Sequence, residues 1–109
     1  ANLSAANMTG ARLGGQECIP AILSRATLVR AKLVGAALCG ASLLRADLSH
    51  ANLRDADLSG ADLYDANLRE SQLAGANFQD VDLTTTTLTY ADLSAARNVL
   101  LTHPRANTR

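Results

Sequence analysis

The chain has no tryptophan, one methionine and three aromatic residues, Tyr64, Phe78 and Tyr90. Rings therefore do not build its core, and the stacking platforms of a single-strand nucleic-acid binder are missing. Ten basic and ten acidic residues cancel, which removes the net positive field that a generic nucleic-acid binder carries. No apolar run approaches a membrane span, and no basic, hydrophobic and small-residue succession marks a signal peptide. The expectation is a soluble chain, cytoplasmic in preference, with the compartment left open by composition. Histidine occurs only as His50 and His103, and no Cys/His cluster has metal-ligand spacing. A nucleophile, a base and an orienting group need a converging cleft. Nothing in the sequence assembles one, so no catalytic, metal-binding or cofactor-binding residue is assigned, and no enzyme or small-molecule substrate is expected.

What the sequence does have is one phrase, A-[D/N]-L-x-x, said without a break in register. Counting by fives from Leu3 to Leu93 gives 19 central positions, 16 of them Leu and the others Met8, Cys18 and Phe78. Two places earlier stands Ala in 15 of the 19, with Gln16, Ser71, Val81 and Thr86 as exceptions. On a helix, leucines five apart would scatter around the cylinder. On a flat strand, an odd spacing would send successive leucines to opposite faces. The remaining solution is a chain that turns the same way once per repeat, with Leu and Ala inward and three residues facing water. One leucine per five ordered residues cannot offset the conformational entropy, so backbone ladders between coils must hold the fold. Six of the seven glycines stand two places after the centre, which marks that site as a corner where positive φ is tolerated. Ten of the 19 residues just before the centre are Asp or Asn; their short side chains bond nearby backbone and brace turns.

With these residues the chain, from Ala1 to about Ala95, resembles the pentapeptide-repeat family. That likeness implies an all-β solenoid, a right-handed quadrilateral β-helix with four repeats per coil and about five coils. Residues twenty apart should then stack, and Leu23, Leu43, Leu63 and Leu83 form one interior column; Leu48, Leu53, Leu58 and Phe78 belong to the other three. Val81, Thr86 and Gln16 should widen or strain the tube. Arg45 should sit over Asp65, His50 between Arg30 and Glu70, and Asp62 against Asp82 as like charges. Cys18 points inward and Cys39 outward, so both are expected as free thiols.

The ends read differently from the middle. Gln16 to Pro20 departs from the phrase and suggests a slight bulge. After the repeats (1–95), the segment 96–109 is expected to be a cap and tail. Ser94 would start a short helix through about Leu101, ended by Pro104, as a lid over the open coil. Arg105 to Arg109 would be loose. No lid precedes Ala1, which leaves an uncapped N-terminal face for self-association or for another protein. The chain also begins without Met, as a processed product or a part of something longer would.

Charge is uneven along the chain. Through Arg54 there are six basic and two acidic residues, whereas 55–92 carries eight acids against Arg69 alone. Ile22, Leu44 and Tyr64 fall on one outward wall, and Ile19 and Cys39 on the next, a candidate partner surface. The function expected is a non-enzymatic structural or protein-interaction module. The resemblance supplies an alternative, a DNA-mimic inhibitor of a DNA-binding enzyme such as gyrase. Those family members favour Phe at the centre and dimerise through a longer C-terminal element, and this chain has Phe there once. Repeats of this A-[D/N]-L kind also resemble those abundant in cyanobacteria.

Overall fold

A computed structural model describes residues 22–99 and the strand Asn107–Thr108. Gln16, Cys18, Ile19, Pro20 and the N-terminal face lie outside the described residues. Within them the chain winds with a period of twenty. Parallel bridges join Ile22 to Ser42, Thr27 to Asp47, Lys32 to Asn52 and Ala37 to Asp57, and the same offset continues to Asn77 and Arg97. Four two-residue turns, such as Ser24–Arg25 and Val29–Arg30, separate four short walls in each period.

An accounting of N–H groups explains why five residues suffice for one wall and one corner. The central Leu donates across to the next coil, as Leu28 does to Asp47 O at 2.7 Å, and the residue before the next coil's centre donates back, as Asp47 does to Ala26 O at 3.0 Å. The second corner residue also reaches across, Arg45 N to Tyr64 O at 2.8 Å. The following Ala closes the turn, Ala46 N to Leu43 O at 2.9 Å. One N–H remains, that of the residue after the centre, and it is taken by the Asp or Asn two places earlier. Ser49 N bonds Asp47 Oδ1 at 3.1 Å, Arg69 N bonds Asn67 Oδ1 at 3.0 Å and Ser94 N bonds Asp92 Oδ1 at 3.0 Å. The Asp/Asn preference is thus a backbone requirement. Asp57 accepts from both the N–H and the hydroxyl of Ser59, at 3.0 and 2.7 Å, as Asp82 does from Thr84 at 2.9 and 2.7 Å. Asp57→Ala should cost about 1–3 kcal/mol, read as a fall in the denaturant midpoint, whereas Asp57→Asn should cost less.

The second corner residue takes left-handed φ, 61° at Arg30 and 55° at Asp65, for example. Glycine is at ease there, and at Gly75 (φ 74°) it is also needed for room, since a Cβ would run into the Asp55 carboxylate. Inside, Leu43, Leu48, Leu53, Leu58, Leu63, Leu83 and Phe78 are fully buried, each under its Ala neighbours, while Leu23 is partly buried against the same cluster.

The ladder breaks once. Among the described residues the series of bridges has no Asp62–Asp82 member, although 42–62 and 67–87 on either side are present. Here Val81 and Thr86 stand where the repeat otherwise has Ala, and bulk in a tube this narrow disfavours the regular ladder. The polar substitutes remain bonded: Thr86 Oγ1 donates to Leu63 O at 2.9 Å, Thr85 Oγ1 accepts from Asp65 N at 3.1 Å, and Ser71 Oγ donates to Leu68 O at 2.7 Å.

The C-terminal region corrects two expectations. No helix starts at Ser94 within the described residues. Ser94–Ala95 is another corner, and Arg97 bridges Asn77 and donates its N–H to Ala76 O at 2.7 Å. The reason is that Ala96-Arg97 keeps the phase of the repeat, and an available ladder edge outcompetes an isolated helical turn. The winding changes at Asn98, which occupies the place of a centre but is exposed, adopts φ 58° and donates through Nδ2 to Asn77 Oδ1 at 2.7 Å. The tail is also not wholly loose. Strand β1 (Thr87–Leu88) pairs in parallel with β2 (Asn107–Thr108), Thr87 opposite Asn107. Ala106-Asn107-Thr108 restores the phrase with Thr for Leu, and the offset is again twenty.

Candidate interaction surface

The outward side chains stand in columns, because residues twenty apart share a place on the wall. One corner column runs Arg25, Arg45, Asp65, Thr85, and the next runs Arg30, His50, Glu70, Tyr90; apart from Thr85 these residues share left-handed φ, and all eight are exposed. The two columns flank the wall of Thr27, Asp47, Asn67 and Thr87. Expected stacks are present: Arg45 Nε lies 3.7 Å from Asp65 Oδ2, and His50 Nε2 lies 3.1 Å from Glu70 Oε2. Arg69 joins them, 3.7 Å from Glu70 and with its guanidinium 5.6 Å from the Tyr90 ring centre. These contacts are solvent-exposed and contribute little to stability; their interest is the pattern of charge. Sign reverses halfway along both columns. Asp92, outside this wall, has its carboxyl held below the ordinary range, chiefly by the Ser94 N–H and then the Ser94 hydroxyl.

Of the residues singled out for partner contact, Ile22 is 84% exposed, Tyr64 is 48% exposed and Leu44 is half-buried. Ile22 precedes a centre while Leu44 and Tyr64 follow one, so Leu44 and Tyr64 form a column and Ile22 stands beside it. Ile19 lies outside the described residues. Cys39 is a correction: it is buried and disulfide-bonded, not a free thiol. The place in the repeat assigns a direction to a side chain but does not reveal a covalent partner that covers it. The other cysteine in the chain is Cys18, outside the described residues. Repeat arithmetic also missed the Arg69–Tyr90 contact, though a basic residue one place before the column of Tyr90 is a signal for it.

A cleft of about 290 Å³ is lined by Gln79, Asp80, Val81, Asn98 and Val99, beside the end of the interior column at Phe78. Asp80 is the one titratable group in that lining. Among the described residues no group of three or more His, Cys, Asp or Glu side chains could hold a metal ion. No helix there is long and apolar enough to cross a membrane.

The family model for pentapeptide repeats matches residues 21–60 and 61–97, in eight copies. Among solved structures, Rfr23, a pentapeptide repeat protein from the cyanobacterium Cyanothece 51142, is similar at a TM-score of 0.68 and 24% identity, over 88% of this chain and 82% of that one. A pentapeptide repeat protein from the Arabidopsis thaliana thylakoid lumen is similar at 0.55 and 30% identity, over 87% of this chain and 63% of that one. HetL of the cyanobacterium Nostoc sp. Strain PCC 7120, a pentapeptide repeat protein involved in heterocyst differentiation regulation, is similar at 0.50 and 34% identity, over 87% of this chain and 53% of that one. The chain thus spans less than two thirds of the latter two. No curated protein matches the sequence.

Proposed function

The chain belongs to the pentapeptide-repeat family, and from that premise we propose that it is a non-enzymatic protein-interaction module, a right-handed quadrilateral β-helix presenting flat walls to another protein. The observation that carries this reading is the pair Ile22 and Tyr64, large apolar side chains that are exposed on the outer wall. They adjoin half-buried Leu44, and such a patch rimmed by charge suits a protein partner. HetL, which shares 34% identity, is named for a role in regulation and not for a reaction. The N-terminal face remains a second route of self-association under this proposal. The disulfide at Cys39 favours an oxidising compartment over the cytoplasm.

The DNA-mimic alternative has less support. A polyanion mimic needs sustained negative potential, and Arg25, Arg30, Lys32, Arg45 and Arg54 interrupt it from residue 25 to residue 54.

The test uses a variant designed to keep the fold. Ile22→Asp restores the phrase A-D-L, and Tyr64→Ser places at that site a residue that Ser24, Ser49 and Ser59 already show there. Affinity capture from source-organism extract should recover a stoichiometric protein with the natural chain and lose it, by about tenfold or more, with the double variant. Equal recovery by both, or no partner for either, would contradict the reading.

A further inference from the structure

The charge reversal along the wall between the two corner columns makes that wall complementary to itself. A two-fold axis lying in the wall and perpendicular to the solenoid axis leaves every column in place and reverses the order of its rows. With the axis between the rows of Arg45 and Asp65, each residue meets the mirror row of its own column in the second copy. Arg45 then faces Asp65 of the second copy, His50 faces Glu70, and Arg30 faces the ring of Tyr90. Between the columns Asp47 faces the amide of Asn67. No like charges oppose each other, and every pair occurs twice, the condition for a closed isologous contact. We propose that this chain forms an antiparallel side-by-side dimer through this wall.

The proposal rests on the reading of the chain as an interaction module and names one partner, a second copy. The groups it needs are on the surface: Arg25, Arg30, Arg45, His50, Asp65, Glu70 and Tyr90 are all exposed. The internal pairs do not compete with it. Arg45 and Asp65 lie 3.7 Å apart within one copy, so pairing assembles two guanidinium groups and two carboxylates into one alternating cluster, in which each charge gains a second opposite neighbour. The four rows that pair in this way, about 4.8 Å apart, bury less than the roughly 1,200 Å² at which stable interfaces begin. The dimer is therefore weak, held by charge and weakened by salt.

Sedimentation of the full chain distinguishes the outcomes. The natural chain should dimerise with rising concentration in about 0.02 M salt and lose affinity by about tenfold or more in 0.5 M salt. Arg45→Asp and Asp65→Arg place like charges in opposition and should each be monomeric. Both keep the corner intact, since Asp55 and Asp80 adopt the same left-handed φ and so do Arg25 and Arg30. Mixed in equal amounts, the two variants should form a one-to-one dimer, because each supplies the charge that the other lacks. Three results would overturn the proposal: a natural chain monomeric to about 1 mM at low salt, single variants that dimerise as it does, or a mixture that stays monomeric. None of these would touch the interaction-module reading, which stands or falls on the Ile22 and Tyr64 capture.

Discussion

Phe78→Ala should lower the free energy of unfolding by about 3–5 kcal/mol, a large share of what a domain of this size possesses. Phe78 is fully buried and is the largest side chain of the interior. It closes the column of Leu38 and Leu58, and the next centre in phase, Asn98, turns out to solvent instead. Its N–H also anchors the segment at Arg97, donating to Arg97 O at 2.9 Å. The cavity left by Ala is not readily filled, because Asn77 beside it is bridged to both Asp57 and Arg97 and holds that wall in place. Loss should concentrate at the C-terminal end, since a solenoid is stabilised coil by coil. Amide exchange should therefore quicken at Asn77, Asp92 and Arg97 while Leu28 and Leu33 keep their protection. Uniform loss of protection, or a change under about 1 kcal/mol, would contradict this account of the interior.

Ala66→Leu should be comparably damaging for the opposite reason. Ala66 is completely buried, donates its N–H to Leu63 O at 3.0 Å and accepts from Thr87 N at 3.0 Å. Overpacking a full core costs about 1–3 kcal/mol and sometimes more, and here the cost has a visible precedent. At Val81 a branched side chain at the same place in the repeat coincides with the missing Asp62–Asp82 bridge. Leucine at 66 should likewise break the Asp47–Asn67 and Asn67–Thr87 bridges, read as faster exchange of the Asn67 and Thr87 amides. Ala66→Ser is the control. Serine at Ser71 is buried with its hydroxyl bonded to Leu68 O, so this variant should lose less than about 1 kcal/mol. If Leu and Ser behaved alike, tightness of the tube would not be what selects alanine.

The parts of this fold that were legible in the sequence are those that a repeat states many times. Leu and Ala at fixed places determine which side chains are inward, and Asp or Asn before the centre announces the N–H of the corner that it will satisfy. The pairing of Arg45 with Asp65 and of His50 with Glu70 followed from the same arithmetic. Features stated only once were read less well. Ser94 followed by Val99-Leu100-Leu101 looks like a capped helix when read locally, but Ala96-Arg97 and Ala106-Asn107 keep the phase. A ladder edge with two unfilled bonds per wall then decides the conformation. Cys39 occupies an outward place by count, and its covalent bond cannot be seen in a period of five. The partner surface was legible only as exposed apolar residues, because a repeat fixes where side chains stand and says nothing of what meets them.

The central claim is that a centre every fifth residue winds the chain four repeats to the coil, so that residues twenty apart are neighbours. Nuclear Overhauser contacts between backbone protons measure this directly. The account predicts contacts between Asn52 and Gln72, Asp57 and Asn77, and Asn67 and Thr87, where parallel bridges join those pairs. Contacts recurring at fifteen or twenty-five residues instead, or none between successive coils, would contradict it.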